Sequence, residues 1–377
     1  MPGRLRRALV VLVLVTAACT EAPAPPPPAP PPALFDWPTL PAPPTTELPA
    51  DQAAELQVVL DGAVALDARC PDAGVGAAGL TASVITDAGV WAGAAGHDGR
   101  GRPLLPSSTA GIADVTTTFT AAEVLRLAGA GRLDLDAPLA LSLPHPLTSG
   151  GATARSFLGM RSGLADMDAA GEQALVEAIR RAPGRAWSPD DLLARYRGPL
   201  RAPAAYSTLN AVLLGETVQR ITGRPLAAVL REDLVVPAAL PHVGFWDERS
   251  DDPVADDLAR VRAGAWGMTA DALSVALWGW LLYGFRVLPP GTVAVMATPS
   301  GSDQVAGGLR YGLGTTLFSQ TLGLGDAVGH AGRQPGSQSL LVVVPTRHVA
   351  VALLVADEDT SVRGTAQNLF AVLSRHL

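Results

Sequence analysis

The chain predicts an α+β fold, and three observations carry that expectation. β-rich runs sit near both ends of the body, at residues 80–95 and 339–356. The long stretch between them, roughly residues 134–300, reads mostly as helix and loop. Each terminal run is broken by a turn into two short strands, so the sheet should be antiparallel. It should join the two ends of the body, be flanked by helices and carry a mainly helical lobe as an insertion.

The elements follow in order. Residues 1–18 read as a signal peptide: Arg4, Arg6 and Arg7 open it, and residues 8–18 form an apolar run too short to span a bilayer. The run ends in Thr16-Ala17-Ala18-Cys19, which is similar to a bacterial lipobox, with Thr16 where Leu or Val is usual. That similarity implies cleavage before Cys19, lipidation of Cys19 and attachment to the extracytoplasmic face of the cell membrane. Ordinary secretion is the alternative. Residues 19–49 then carry the lipidated Cys and a Pro-rich tether, including Pro25-Pro26-Pro27-Pro28. Proline fixes φ and removes donors, so about thirty residues in polyproline form would reach roughly 90 Å.

The folded domain is expected over residues 50–377, with an α/β part at about 50–120 and 300–377 and the helical lobe at about 121–299. Ala53, Leu56, Val59, Leu60, Ala63 and Leu66 recur at helical spacing. Residues 80–86 and 90–95 flank Asp87-Ala88-Gly89 and predict a hairpin. A helix is expected over 115–129, with Gly131 near its end, and further helices over 211–221 and 270–283. Residues 339–344 and 349–356 predict a second strand pair around Pro345-Thr346-Arg347-His348, and a last helix should run over 361–376. Trp278 and Trp280 lie in an apolar helical run and are expected in the core, with a sugar-stacking platform the lesser reading.

Composition narrows the function. The formal charge is −7 and no basic stripe is present, which argues against nucleic acid. Cys19 and Cys70 are the two cysteines, so the mature body has no partner for a disulfide at Cys70. The six histidines are scattered with no metal-ligand spacing, and neither metal nor cofactor is expected. All 28 Lys+Arg positions are arginine. A guanidinium stays protonated, so no side-chain amine is available as a base.

Several motifs occur in a fixed order. Thr118-Phe119-Thr120-Ala121-Ala122 is followed by Gly131-Arg132-Leu133-Asp134-Leu135-Asp136-Ala137-Pro138. Then come Arg161-Ser162-Gly163-Leu164, Tyr206-Ser207-Thr208-Leu209-Asn210, Tyr311-Gly312-Leu313-Gly314 and Gly329-His330-Ala331-Gly332. Together these resemble the serine β-lactamases, DD-peptidases and related esterases, over about residues 52–376. The resemblance implies a β-lactamase/transpeptidase-like fold and a cleft lined by Asp114, Thr117, Tyr206, Thr208, His330 and Gly332. It implies that Asp114 holds the place of the nucleophilic Ser and Thr117 that of the Lys in Ser-x-x-Lys. Tyr206 matches the Tyr of Tyr-x-Asn, Thr208 replaces its Asn, and His330 with Gly332 matches the third motif, which in the family helps form the oxyanion hole.

Asp114 and Thr117 decide the expectation about chemistry. A carboxylate attacking an acyl group gives a labile mixed anhydride, and a threonine cannot replace an amine as base. No catalytic residue is therefore assigned with assurance, and usual acyl transfer is not expected. Asp114 reads as a helix N-cap, ahead of a reactive carboxylate. Thr117 reads as a pocket-lining or back-bonding hydroxyl, and Tyr206 as pocket wall or binding group. His330 is expected to bond a ligand or the Asp114 carboxylate. Arg333 reads as a solvated arginine, with an anion-binding role second. The function expected is that of an envelope lipoprotein binding a peptidoglycan stem peptide or another envelope protein through this cleft. The alternative is an esterase, amidase or β-lactamase-like enzyme using a nucleophile among Thr116, Thr117 and Thr118.

Overall fold

The computed structural model describes residues 37–69, 79–199, 204–245, 253–301, 309–318, 325–357 and 362–377. The signal segment, Cys19, the tether as far as residue 36 and Cys70 lie outside the described residues.

Among the described residues ten strands form two sheets: β1 (Gly79–Thr86), β2 (Gly89–Gly96), β3 (Ala110–Gly111), β4 (Val243–Phe245), β5 (Met268–Ala270), β6 (Arg310–Tyr311), β7 (Thr316–Leu317), β8 (Val328–Gln334), β9 (Ser337–Val344) and β10 (Val349–Val355). The main sheet is antiparallel in the order β2-β1-β10-β9-β8-β7-β6, so N- and C-terminal strands meet at the β1–β10 pair, Leu80 opposite Val355. β3, β5 and β4 make a small second sheet. The twelve described helices are α1 (Ala50–Arg69), α2 (Thr116–Gly129), α3 (Ala154–Leu158), α4 (Ala169–Arg181), α5 (Pro189–Leu193), α6 (Thr208–Thr222), α7 (Leu226–Leu230), α8 (Pro253–Val261), α9 (Ala263–Trp266), α10 (Ala272–Tyr283), α11 (Pro290–Met296) and α12 (Val362–Leu373).

The period-2 pattern of the terminal strands sorts their side chains to two cores. Val349, Val351, Leu353 and Val355 of β10 pack with Leu56, Leu60, Leu369 and Phe370 from α1 and α12. Ala350, Ala352 and Leu354 point the other way, into a core that also holds Trp278, Trp280 and the helical lobe. The result is an α+β protein with helices on both sheet faces. Trp278 and Trp280 are fully buried, as expected of a mostly apolar helix. A Cβ at Gly279 would stand 2.6 Å from Leu341 Cδ1, so glycine lets α10 lie directly on β9. α10 thus serves the sheet layer, although its sequence position is within the stretch expected to form the lobe.

The body begins earlier than the proline content implied. Trp37 is 8% exposed and stacks on Phe285 at 6.3 Å, and Leu40 is buried. The Pro41 carbonyl accepts from Trp280 Nε1 at 2.9 Å, and Leu48 N–H donates to Val90 O at 2.8 Å. Proline-rich backbone still packs when its neighbours are Trp and Leu, whose burial is worth a few kcal/mol. Residues 37–49 therefore belong to the domain and not to the tether.

Candidate functional site

β3 leads into a 3₁₀ turn, Ala113–Val115, which runs on into α2. The backbone here is clamped from two sides. Ile112 N–H donates to Met268 O at 3.1 Å, and Ser339 Oγ donates to Ile112 O at 2.6 Å. Ala113 is held at φ +44°, a left-handed conformation that disfavours an alanine by about 1–3 kcal/mol. β8 presses on the turn at its back: a Cβ at Gly332 would stand 2.5 Å from the Asp114 amide nitrogen and 2.8 Å from Ala113 Cβ. Glycine is required there by space alone, which gives the Gly of the third motif a physical reason.

Asp114 is not a helix cap. Neither the turn nor α2 has a side-chain cap bond, because Asp114 lies inside the helical run and not before it. Its carboxylate instead turns toward Tyr206, Trp266 and β8. Tyr206 Oη donates to Oδ1 at 2.8 Å and Trp266 Nε1 donates to the same oxygen at 3.1 Å. The Arg333 amide approaches Oδ2 at 3.4 Å. Asp114 is 6% exposed, and burial pushes its carboxyl up to about 6 despite these donors, with the nearby Asp166 charge adding to the rise. Burial and the Asp114 charge hold the Tyr206 hydroxyl well above its ordinary value, so it stays a donor.

His330 does not reach Asp114 by a hydrogen bond. Its Nδ1 lies 2.7 Å from the Ala331 carbonyl and its Nε2 lies 2.7 Å from Tyr311 Oη. The first contact requires Nδ1–H, so Nε2 accepts from the tyrosine. Burial pushes the imidazole down to about 4, leaving it neutral. Tyr206, Tyr311 and His330 form a ring cluster with centroids 5.6–5.9 Å apart. The histidine is wall, placed behind the two tyrosines.

The remaining expected residues divide. Thr208 is bonded to the exposed Asp166, whose Oδ1 accepts from Thr208 Oγ1 at 2.8 Å and from its amide at 3.2 Å. Asn210, two residues on, is fully buried and bonds Ser162 and Met160, so it does not substitute for the missing Asn. Thr117 is 3% exposed, with no partner for its hydroxyl, and packs among Ala121, Leu158, Met160 and Gly314 with no room for a water molecule. Thr116 is buried with an unpartnered hydroxyl, while Thr118 Oγ1 donates to Val115 O and accepts from Trp278 Nε1. None of the three threonine hydroxyls is bonded to a base. Among the described residues no group of three His, Cys, Asp or Glu side chains is arranged to hold a metal.

Two site residues had no role in the sequence reading. Tyr311 stood in a recognisable motif but carried no signal of its own. Trp266 carried none, because only the packing of α9 against α2 and α6 brings it to Asp114. The Arg262 guanidinium lies 4.4 Å over the Trp266 ring and pairs with Glu172, which fixes the indole.

The profile of the family described as Beta-lactamase matches residues 66–374. The chain is 30% identical over 158 residues to Esterase EstB of Burkholderia gladioli, a match spanning 38% of this chain and 40% of that esterase. Among solved structures it resembles a D-stereospecific amidohydrolase from Streptomyces sp., with 24% identity, TM-score 0.68, and 83% and 97% of the two chains covered. It also resembles the D-amino acid amidase of Ochrobactrum anthropi SV3, at 19% identity, TM-score 0.70, and 87% and 99% coverage. The octameric penicillin-binding protein homologue from Pyrococcus abyssi matches at 19% identity and TM-score 0.70, over 85% and 77% of the chains. These structural likenesses speak for the fold.

Proposed function

The chain belongs to the beta-lactamase family, and from that premise we propose that it is an envelope lipoprotein whose inherited cleft binds a peptidoglycan stem peptide or an envelope partner without acyl transfer. One observation carries the reading. Where the family's nucleophile belongs, the Asp114 carboxylate takes up the Tyr206 hydroxyl, the Trp266 indole and the Arg333 amide. An acyl oxygen entering the cleft would have to displace that resident anion from the β8 amide. Thr117, at the lysine position, is packed mostly among apolar neighbours and supplies no base. The esterase and amidase relatives make the opposite reading concrete: hydrolysis of an ester or a D-amino acid amide.

The test is direct. The purified chain is incubated with a fluorescent penicillin, a chromogenic ester and D-phenylalanine amide, then followed by intact mass and product release. No adduct and no turnover are expected, while a titration with a stem pentapeptide should saturate. An acyl adduct on any hydroxyl would overturn the reading. Asp114→Ser combined with Thr117→Lys should restore labelling if the inherited geometry persists. For the anchor, Cys19→Ala should release the protein from membranes into the medium, and unchanged retention would refute lipidation.

A further inference from the structure

The Asp114 carboxylate is a buried anion with no counter-ion among the described residues. Its partners, Tyr206, Trp266 and the Arg333 amide, are neutral donors. Taking an ionised carboxylate out of water without a cation is unfavourable, and buried charges are as a rule paired. The Arg262 guanidinium does not serve, because it lies over the face of Trp266 and is engaged by Glu172, whereas Asp114 meets the indole edge. Asp166 makes the local field more negative still.

We propose that the cleft takes a ligand bearing a primary ammonium group, with Asp114 as its counter-ion, and rejects ligands that present a carboxylate at the same place. This rests on the non-acylating reading above and names the ligand chemistry for it. The geometry leaves capacity for such a contact. Oδ1 carries two donors, while Oδ2 has the single long approach at 3.4 Å, and an ionised carboxyl has about four acceptor sites. The residues around Asp114 separate it from solvent by a single layer, since Tyr206 and Trp266 are half-buried and Asp166 and Arg333 exposed. The three donors around Asp114 would themselves suit a carboxylate, so the side chain of Asp114 acts as a resident anion that sets the sign of the site.

Two probes of matched shape and opposite charge, benzylamine and benzoate, titrated against the full chain by NMR, test this assignment. In the unaltered protein benzylamine should perturb the Trp266 indole signal and benzoate should not. Asp114→Asn keeps the shape and removes the charge, and should weaken benzylamine by about tenfold or more. Asp114→Ala vacates the donors and should make benzoate bind where it did not before. Thermal midpoints confirm that each variant is folded, and the unaltered protein alone already discriminates if one is not. Benzoate binding as well as benzylamine in the unaltered protein overturns the ammonium assignment and leaves a non-acylating cleft standing. Benzylamine binding that is indifferent to Asp114→Asn, or no binding by either probe, overturns it too. Acylation by a penicillin instead removes the reading beneath it.

Discussion

Tyr206 Oη and Asp114 Oδ1 lie 2.8 Å apart, joining the residues just before α6 to the turn that precedes α2. The bond ties a protonated phenol to a carboxylate with 6% exposure, and burial outweighs it in setting the carboxyl at about 6.

With its folded value raised above the usual 3.8, Asp114 binds more proton folded than unfolded between about pH 4 and 6. Its ionisation therefore subtracts stability as pH rises through that window, by on the order of 3 kcal/mol in all. His330, pushed down to about 4, acts oppositely: its contribution is complete above the unfolded value of 6.5 and is lost as pH falls towards 4. Comparing the chain with Asp114→Asn cancels the histidine. The variant should gain stability relative to the parent between pH 4 and pH 7, measured by urea unfolding at each pH. A flat difference would contradict the assigned burial of the charge.

Two glycines should respond to alanine with opposite signs. Gly332→Ala forces a Cβ to within 2.5 Å of the Asp114 amide and should lose about 1–3 kcal/mol. Gly62, inside α1, has open space where a methyl group would stand, with nothing within 4 Å, so Gly62→Ala should gain about 0.5–1 kcal/mol. Thermal midpoints of the two variants measure this, and similar shifts would remove the steric account of the third motif.

The domain boundary makes a third expectation. A protein starting at residue 37 should melt close to the full chain. One starting at residue 50 loses the buried Trp37, Leu40 and Leu48 and should be less stable by several kcal/mol. Equal midpoints for the two would return residues 37–49 to the tether.

Some of this was legible residue by residue. Alternation in β10 and β9 is a local pattern with a fixed consequence for facing, so the terminal strand pairs and their antiparallel sense could be read directly. The capping assignment of Asp114 failed for an equally physical reason. A cap is defined by where helical backbone starts, and a 3₁₀ turn ahead of α2 put Asp114 inside the helical run. The proline run concealed a boundary because composition reports chain stiffness and not whether a Trp among the prolines finds a groove.

By itself the sequence determined the α+β class, the order of the motifs and the absence of any lysine amine. Those are properties of residue type and short spacing. The tertiary structure alone decided what surrounds Asp114, since its partners Tyr206, Trp266 and Arg333 lie 92, 152 and 219 residues away along the chain. Hydrogen bonds over such separations arise from the packing of α9, β8 and the turn before α2, and no local pattern encodes them.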